Sequence, residues 1–303
     1  MGNVEVIQRE LYQLDSANAQ PHHWQTLAST IKEVSEEIHD LTGIVITHGT
    51  DTMTYSAAAV SFMVQDFGKP IVFTGAQIPA SVPWSDGPRN LLDAIRVAAF
   101  GDLGETCIVF NGEVHRATRA KKVRVNSYDA FDSMDPSPIG ILARDIVLYE
   151  GRKKRDPSLT PRFDTRLDDR VFLLKVFPGL DPQILTRIVE MGYHGMIIEG
   201  FGSGNIPTGE NALADGILQS INQGCFVVIS SQCAFGQADL SIYEVGRAAM
   251  DVGAMSAYDM ASEAALVKLA WVLGHTNESD RVKAMMGTSY VGEMSYIGPE
   301  QKE

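Results

Sequence analysis

The stretch Thr47-His48-Gly49-Thr50-Asp51-Thr52-Met53 is the part of this chain best placed to do chemistry. A hydroxyl (Thr50) and a carboxylate (Asp51) stand side by side at what reads as a strand end, where both can address one small ligand. Taken alone, a Thr-Asp pair ahead of a helix fits an N-cap equally well, its side-chain oxygen accepting a backbone N–H of the first turn. Read in the same plain way, Lys122 is one charge of a basic stretch, Asp15-Ser16 a turn, and Gln77 a loop amide with its bonds made.

Other candidates are weaker. The seven histidines show no HxxxH or HxH spacing, and His48 beside a glycine reads as structural. Gly200-Phe201-Gly202-Ser203-Gly204 lacks the GxGxxG order of a dinucleotide loop. Cys107, Cys225 and Cys233 are odd in number and form no CxxC pair, which points to core packing and away from a disulfide framework or a zinc site. Neither a metal nor an organic cofactor is expected.

Positioning these groups requires a scaffold, and the sequence supplies an α/β one. Residues 43–47 (GIVIT) form a short β-branched run followed by the polar turn at Thr50 and a helical stretch over 54–65. The pattern repeats with 71–73, a polar turn through Ala76 and Gln77, and a helix over 90–99; residues 106–110 supply another strand. Such alternation predicts parallel βαβ units, a flavodoxin- or Rossmann-like sheet whose ligands bind at the carboxyl ends of the strands. Both polar turns fall on that side.

Residues 151–169 are rich in charge and proline and read as a linker, with Arg152-Lys153-Lys154-Arg155 as a solvated cluster within it. Beyond it the alternation resumes with strands over 171–177, 195–199 and 225–230 and helices over 182–191, 211–223 and 261–273. The expected organisation is a larger N-terminal domain (1–150), the linker, and a smaller C-terminal α/β domain (170–303). A net charge of −13 argues against a nucleic-acid partner. No apolar run is long enough for a membrane span and the N-terminus has no signal-peptide pattern, so a cytoplasmic location is the expectation.

The segment THGTDTM followed by TYSAAAVSFM, then KPIVFTGAQIP and SDGPRNLLDA, resembles the L-asparaginase family in order and spacing. Arg119-Ala120-Lys121-Lys122 precedes Phe131 at the interval where that family has its catalytic lysine, and Lys122 occupies the matching position. The likeness continues through VFPGLDP, GYHGMIIEGFGSGNIP and DMASEAALVKLAWVLGHT. Asp15-Ser16 ahead of Pro21 and Trp24, and the run from Gly202 to Pro207, look like the cytoplasmic type I branch.

The resemblance implies hydrolysis of the side-chain amide of L-asparagine to aspartate and ammonia. An amide is a poor electrophile, so the chemistry needs an activated nucleophile and donors for the oxyanion. By resemblance, Thr50, Asp51 and Lys122 form a catalytic triad, with Lys122 taking a proton through Thr50. Asp15 and Ser16 would hold the substrate's α-groups, with Ala76 and Gln77 lining the oxyanion side. The family also implies a homodimer or homotetramer.

One motif of the family has no counterpart: a first strand ending in Thr-Gly-Gly-Thr-Ile, which carries the attacking threonine, is not found in these 303 residues. The expectation is therefore a sheet lacking one strand and a triad lacking its usual acyl acceptor, with a separate N-terminal chain as one way to supply both. Two other functions fit the pattern. One is the asparaginase-like amidase component of a tRNA-dependent amidotransferase, to which Arg116-Ala117-Thr118-Arg119 is similar; the other is a non-catalytic asparagine-binding protein. An arginine that serves allosteric asparagine binding in the type I branch is replaced here by Glu199, so that regulation is not expected.

Overall fold

A computed structural model describes residues 4–134 and 138–295. The chain divides into two compact units, Met1–Ser133 with Ser137–Thr165, and Met134–Pro136 with Arg166–Glu303. Among the described residues no helix is long and apolar enough to cross a membrane.

The first unit holds strands β1 (Ile44–Thr47), β2 (Val64–Gln65), β3 (Ile71–Thr74), β4 (Thr106–Phe110), β5 (Glu113–Arg116), β6 (Ala120–Lys122), β7 (Phe131–Ser133), β8 (Gly140–Leu142), β9 (Ile146–Leu148) and β10 (Arg162–Phe163). Its helices are α1 (Pro21–Glu37), α2 (Met53–Met63) and α3 (Gly87–Phe100). Six strands make the main sheet in the order β1-β3-β4-β5-β8-β9. β3 and β4 are buried along their whole length, as continuous apolar runs must be when both faces are covered. α2 is buried at every position but Tyr55, and its Ala57-Ala58-Ala59 run allows close packing against β4 and α1. α1 begins with Pro21 at its first position and a reciprocal Gln20–His23 cap.

The sheet is α/β as expected but only half of it is parallel. β1, β3 and β4 run parallel, whereas β4-β5, β5-β8 and β8-β9 are antiparallel. The reversal happens at Asn111 (φ 49°) and Gly112 (φ 80°), a two-residue turn between the paired residues Phe110 and Glu113. Both turn residues need positive φ, the requirement that makes Asn-Gly the favoured hairpin dipeptide.

The charged stretch after residue 150 is docked onto the first unit. Arg155 donates to the carbonyls of Ala98 and Gly101 and Arg152 to the carbonyl and carboxylate of Asp102. Guanidinium groups thus satisfy carbonyls left open at the C-terminus of α3, which corrects the reading of this cluster as simply solvated. β10 then pairs with β2.

The second unit has a wholly parallel sheet, β11 (Val171–Lys175), β12 (Gly195–Gly200), β13 (Phe226–Ser231) and β14 (Met255–Ser256), in that spatial order. With it go α4 (Gln183–Glu190), α5 (Ala214–Asn222), α6 (Glu244–Asp251), α7 (Ser262–Leu273) and α8 (Ser279–Met286). Leu185, Ile188, Leu213 and Ile217 from the α4–α5 side meet Met196, Ile198, Val227 and Ile229 of the sheet. Cys107 and Cys225 are buried as expected, but Cys233 is exposed; it follows the last residues of β13 into a loop.

Candidate active site

The site is built at the carboxyl ends of β1 and β3. Their parallel register pairs Thr47 with Thr74, and the His48 amide continues the ladder to the Thr74 carbonyl at 2.8 Å. Immediately beyond, Gly75 passes so close to the His48 carbonyl that a Cβ would collide with it. The two polar turns therefore leave the sheet in contact. The His48 ring donates from Nδ1 to the Gly49 carbonyl at 2.7 Å, and burial lowers its pKa.

Gly49 lets a second segment approach. A Cβ there would lie 2.5 Å from the Ser16 hydroxyl, and Thr52 Oγ1 donates to the Ser16 carbonyl at 2.7 Å. Ser16 is buried against this turn, while Asp15, exposed beside it, accepts from the Ala17 amide at 3.0 Å.

Lys122 arrives from the end of β6, held by the antiparallel β6–β7 pair in which it faces Phe131. Its Nζ donates to Thr50 Oγ1 at 2.8 Å and to Asp51 Oδ1 at 2.6 Å. Thr50 is 9% exposed, and its hydroxyl lies 3.0 Å from Gln77 Oε1. Gln77 is fixed from its backbone: the Asp86 carboxylate accepts from the Gln77 and Ile78 amides, each at 3.0 Å, and from Asn90 Nδ2 at 2.9 Å. Ala76, half-buried between Gly75 and Gln77, packs where a side chain on Gly87 would begin.

The capping reading of the Thr-Asp pair does not hold. Thr52 stands at the N-cap of α2 and its side chain makes no cap bond, donating to the Ser16 carbonyl; Thr50 and Asp51 turn to Lys122. An amine, a hydroxyl and a carboxylate within hydrogen-bond reach can move a proton, which is the requirement for activating a weak hydroxyl nucleophile. Sequence reasoning passed over Asp86 and Asn90, whose i,i+4 spacing at the start of α3 was available as a signal.

The family model for Asparaginase, N-terminal, matches residues 1–154, and that for the Glutaminase/Asparaginase C-terminal domain matches residues 170–286. The chain belongs to the asparaginase family. Among its relatives, an L-asparaginase of Thermococcus kodakarensis is 37% identical over 287 residues, covering 95% of this chain and 85% of that protein. A Glutamyl-tRNA(Gln) amidotransferase component from Pyrococcus abyssi is 35% identical over 297 residues, covering 94% of this chain; the chain spans 66% of that relative's length.

Solved asparaginases superpose closely. The thermostable enzyme from Thermococcus kodakarensis matches with a TM-score of 0.91 at 34% identity, covering 97% of this chain and 87% of its own. L-asparaginase I from Vibrio cholerae matches with a TM-score of 0.84 at 33% identity, covering 93% and 84%. The two-domain α/β architecture is thus that of the asparaginase family, whose members named here include both L-asparaginases and an amidotransferase component.

Proposed function

We propose that this protein hydrolyses the side-chain amide of L-asparagine, releasing L-aspartate and ammonia. The observation that carries the reading is the convergence of Lys122 Nζ on Thr50 Oγ1 and Asp51 Oδ1. In the proposed step, the Lys122 amine takes a proton from the Thr50 hydroxyl as Thr50 takes one from the attacking hydroxyl. Thr50 suits a relay because it is buried and both sides of its hydroxyl are engaged. The attacking hydroxyl comes from a segment of the Thr-Gly-Gly-Thr-Ile kind, supplied alongside these 303 residues. Asp51, with its exposed side chain, and Asp15 receive the substrate ammonium, Ser16 its carboxylate; the Ala76 backbone faces the oxyanion, since the Gln77 amide is bonded to Asp86 and its side chain to Thr50 and the Val125 carbonyl.

Ammonia release from asparagine and glutamine, with Thr50→Ala and Lys122→Met as controls, tests this. Binding of asparagine without turnover, even after a Thr-Gly-Gly-Thr-Ile strand is supplied, sinks the hydrolytic reading and leaves a binding protein. A homo-oligomer goes with the proposal; light scattering that finds a stable monomer removes that part.

A second reading, as the amidase part of a tRNA-dependent amidotransferase, is favoured by the 35% identity to the Pyrococcus abyssi amidotransferase component over 94% of this chain. It predicts co-purification with a second protein that binds glutamyl-tRNA. Asparagine hydrolysis without any such partner decides for the first reading.

A further inference from the structure

The side chain of Gln77 reaches in two directions at once. Its Nε2 donates to the carbonyls of Val125 at 2.9 Å and Ser127 at 3.3 Å. Carbonyls only accept, so the NH2 of the amide must face them and Oε1 must face Thr50. Thr50 then has to spend its one proton on Gln77, which leaves its lone pairs toward the Lys122 amine. One amide thus sets the direction of the whole chain of bonds, from Lys122 through Thr50 and Gln77 to the loop over residues 123–130.

That loop begins at the residue after Lys122 and has little burial to hold it. Val123, Arg124, Val125, Asn126 and Tyr128 are exposed, Val125 to 81%. Its own hairpin bonds run from the Val123 and Arg124 amides to the Ala130 carbonyl. Two side-chain ties fasten it to the 77–86 segment: Gln77, and the Tyr128 hydroxyl donating to the Trp84 carbonyl at 2.8 Å. Gln77 itself cannot follow the loop, because Asp86 pins its backbone amide.

We propose that Gln77 is a positioning residue that latches the 123–130 loop to the Thr50 hydroxyl, so that the loop's seating and the Lys122–Thr50 contact are one coupled event. The inference rests on the hydrolytic reading for its kinetic consequence but not for its structural one. When Thr50 hands its proton to Lys122, its hydroxyl must turn away from Gln77 Oε1. The latch is then loosened at the moment of proton transfer, and Gln77 regains its partner when the hydroxyl swings back. No bond other than these hydrogen bonds changes at Gln77.

Hydrogen exchange at the amides of residues 124–128, followed on the full chain together with steady-state kinetics, tests the coupling. Gln77→Met removes both ends of the latch and is expected to speed exchange there and lower kcat, each by about tenfold, with KM within about twofold. Gln77→Glu still accepts from Thr50 but sets a carboxylate against the Val125 and Ser127 carbonyls; it is expected to speed exchange as much as the Met variant. Tyr128→Phe loosens the loop without touching Thr50 or Gln77 and is expected to give a smaller change in the same direction. Thr50→Val, read by exchange alone, is expected to speed exchange at 124–128 because Gln77 loses its partner.

Unchanged exchange in Thr50→Val or in Gln77→Met overturns the coupling, whatever the protein hydrolyses. Faster exchange with kcat unmoved in Gln77→Met overturns its role in the reaction. If the protein releases no ammonia at all, the hydrolytic reading fails while the exchange arms still decide whether the latch exists.

Discussion

Each unit contains a lysine bonded to a carboxylate at nearly the same distance, and the two pairs could hardly be used more differently. In the second unit, Lys268 Nζ and Glu293 Oε1 lie 2.7 Å apart and neither side chain has any exposed surface. Lys268 places its other protons on the carbonyls of Met286 and Thr288, and Glu293 accepts from the amides of Tyr290 and Val291. Burial lowers the Lys268 pKa, a shift that Glu293 partly offsets. Burial also pushes the Glu293 carboxyl up, but the Lys268 charge and the hydrogen bonds outweigh it and hold Glu293 below the usual range. In the first unit, Lys122 and Asp51 lie 2.6 Å apart, but the Asp51 side chain is 63% exposed and Lys122 shares its amine with a hydroxyl. A saturated pair sealed from solvent can only hold structure, whereas an open pair that shares its proton-bearing atom is available to a ligand.

The contrast is open to direct attack. Lys268→Met leaves Glu293 buried without its partner and should destabilise the protein by about 3–5 kcal/mol, while kcat per folded molecule stays put. Denaturant titration reads the first and active-site-normalised assays the second. Adding Glu293→Leu should restore much of the loss; if it does not, the penalty comes from packing and the pair is not the clip it resembles.

Lys122→Met should act the other way round. Ammonia release is expected to fall about a thousandfold, equivalent to about 4 kcal/mol of transition-state stabilisation, with little change in the melting temperature. A melting temperature that collapses along with activity would erase the distinction between the two lysines.

The units should also answer acid in different pH windows. His115, buried in the first unit with Nδ1 2.9 Å from Ser133 Oγ, has its pKa lowered by burial from 6.5 to about 4. It is therefore neutral near neutral pH, and its 3.5 Å approach to Glu113 is not an ion pair there. The unfolded chain protonates this ring first, so acidification from about pH 6.5 toward about 4 should remove about 3 kcal/mol of stability. His115→Gln should flatten that slope in melts recorded across the range. Glu293, held low in the folded state, keeps its contribution above about pH 4.5 and loses it only below. The smallest effect is expected from Asp51→Asn: its exposure limits the change in stability to about 1 kcal/mol or less, whatever happens to turnover.

Much of this architecture is readable where the chain combines an apolar run with firm punctuation. The helices expected over 90–99, 182–191 and 261–273 correspond to α3, α4 and α7, each bounded by Gly, Pro or polar turns, and that over 54–65 to α2, which stops at Met63 because Val64 and Gln65 form β2 instead. The strand-turn-helix around Thr50 is legible for the same reason. β5, β8 and β9 are not: Glu113-Val114-His115-Arg116 is polar at three of its four positions, unlike the equally short β1 and β3, and β8 and β9 are three residues each, too short a pattern to register. The Asn111-Gly112 dipeptide directly after the apolar run of β4 is nevertheless a hairpin signal in plain view.

The missed side-chain contacts have a different cause. Gln77 with residues 124–127, and Lys268 with Glu293, are long-range pairings that no local period encodes. Even so, one lysine inside Ala-Ala-Leu-Val-Lys-Leu-Ala-Trp announces itself, since lysine is almost never fully buried without a partner.

Residues 287–294 form neither helix nor strand, a kind of segment that proteases usually nick first. Here Val291, Glu293 and Met294 are buried and the backbone on either side is gripped by one internal charge pair. Gly287, Thr288 and Ser289 are exposed, but over residues 290–294 a protease offered the native protein meets a closed surface and gains its foothold only when the second unit opens, so cleavage there keeps time with unfolding instead of preceding it.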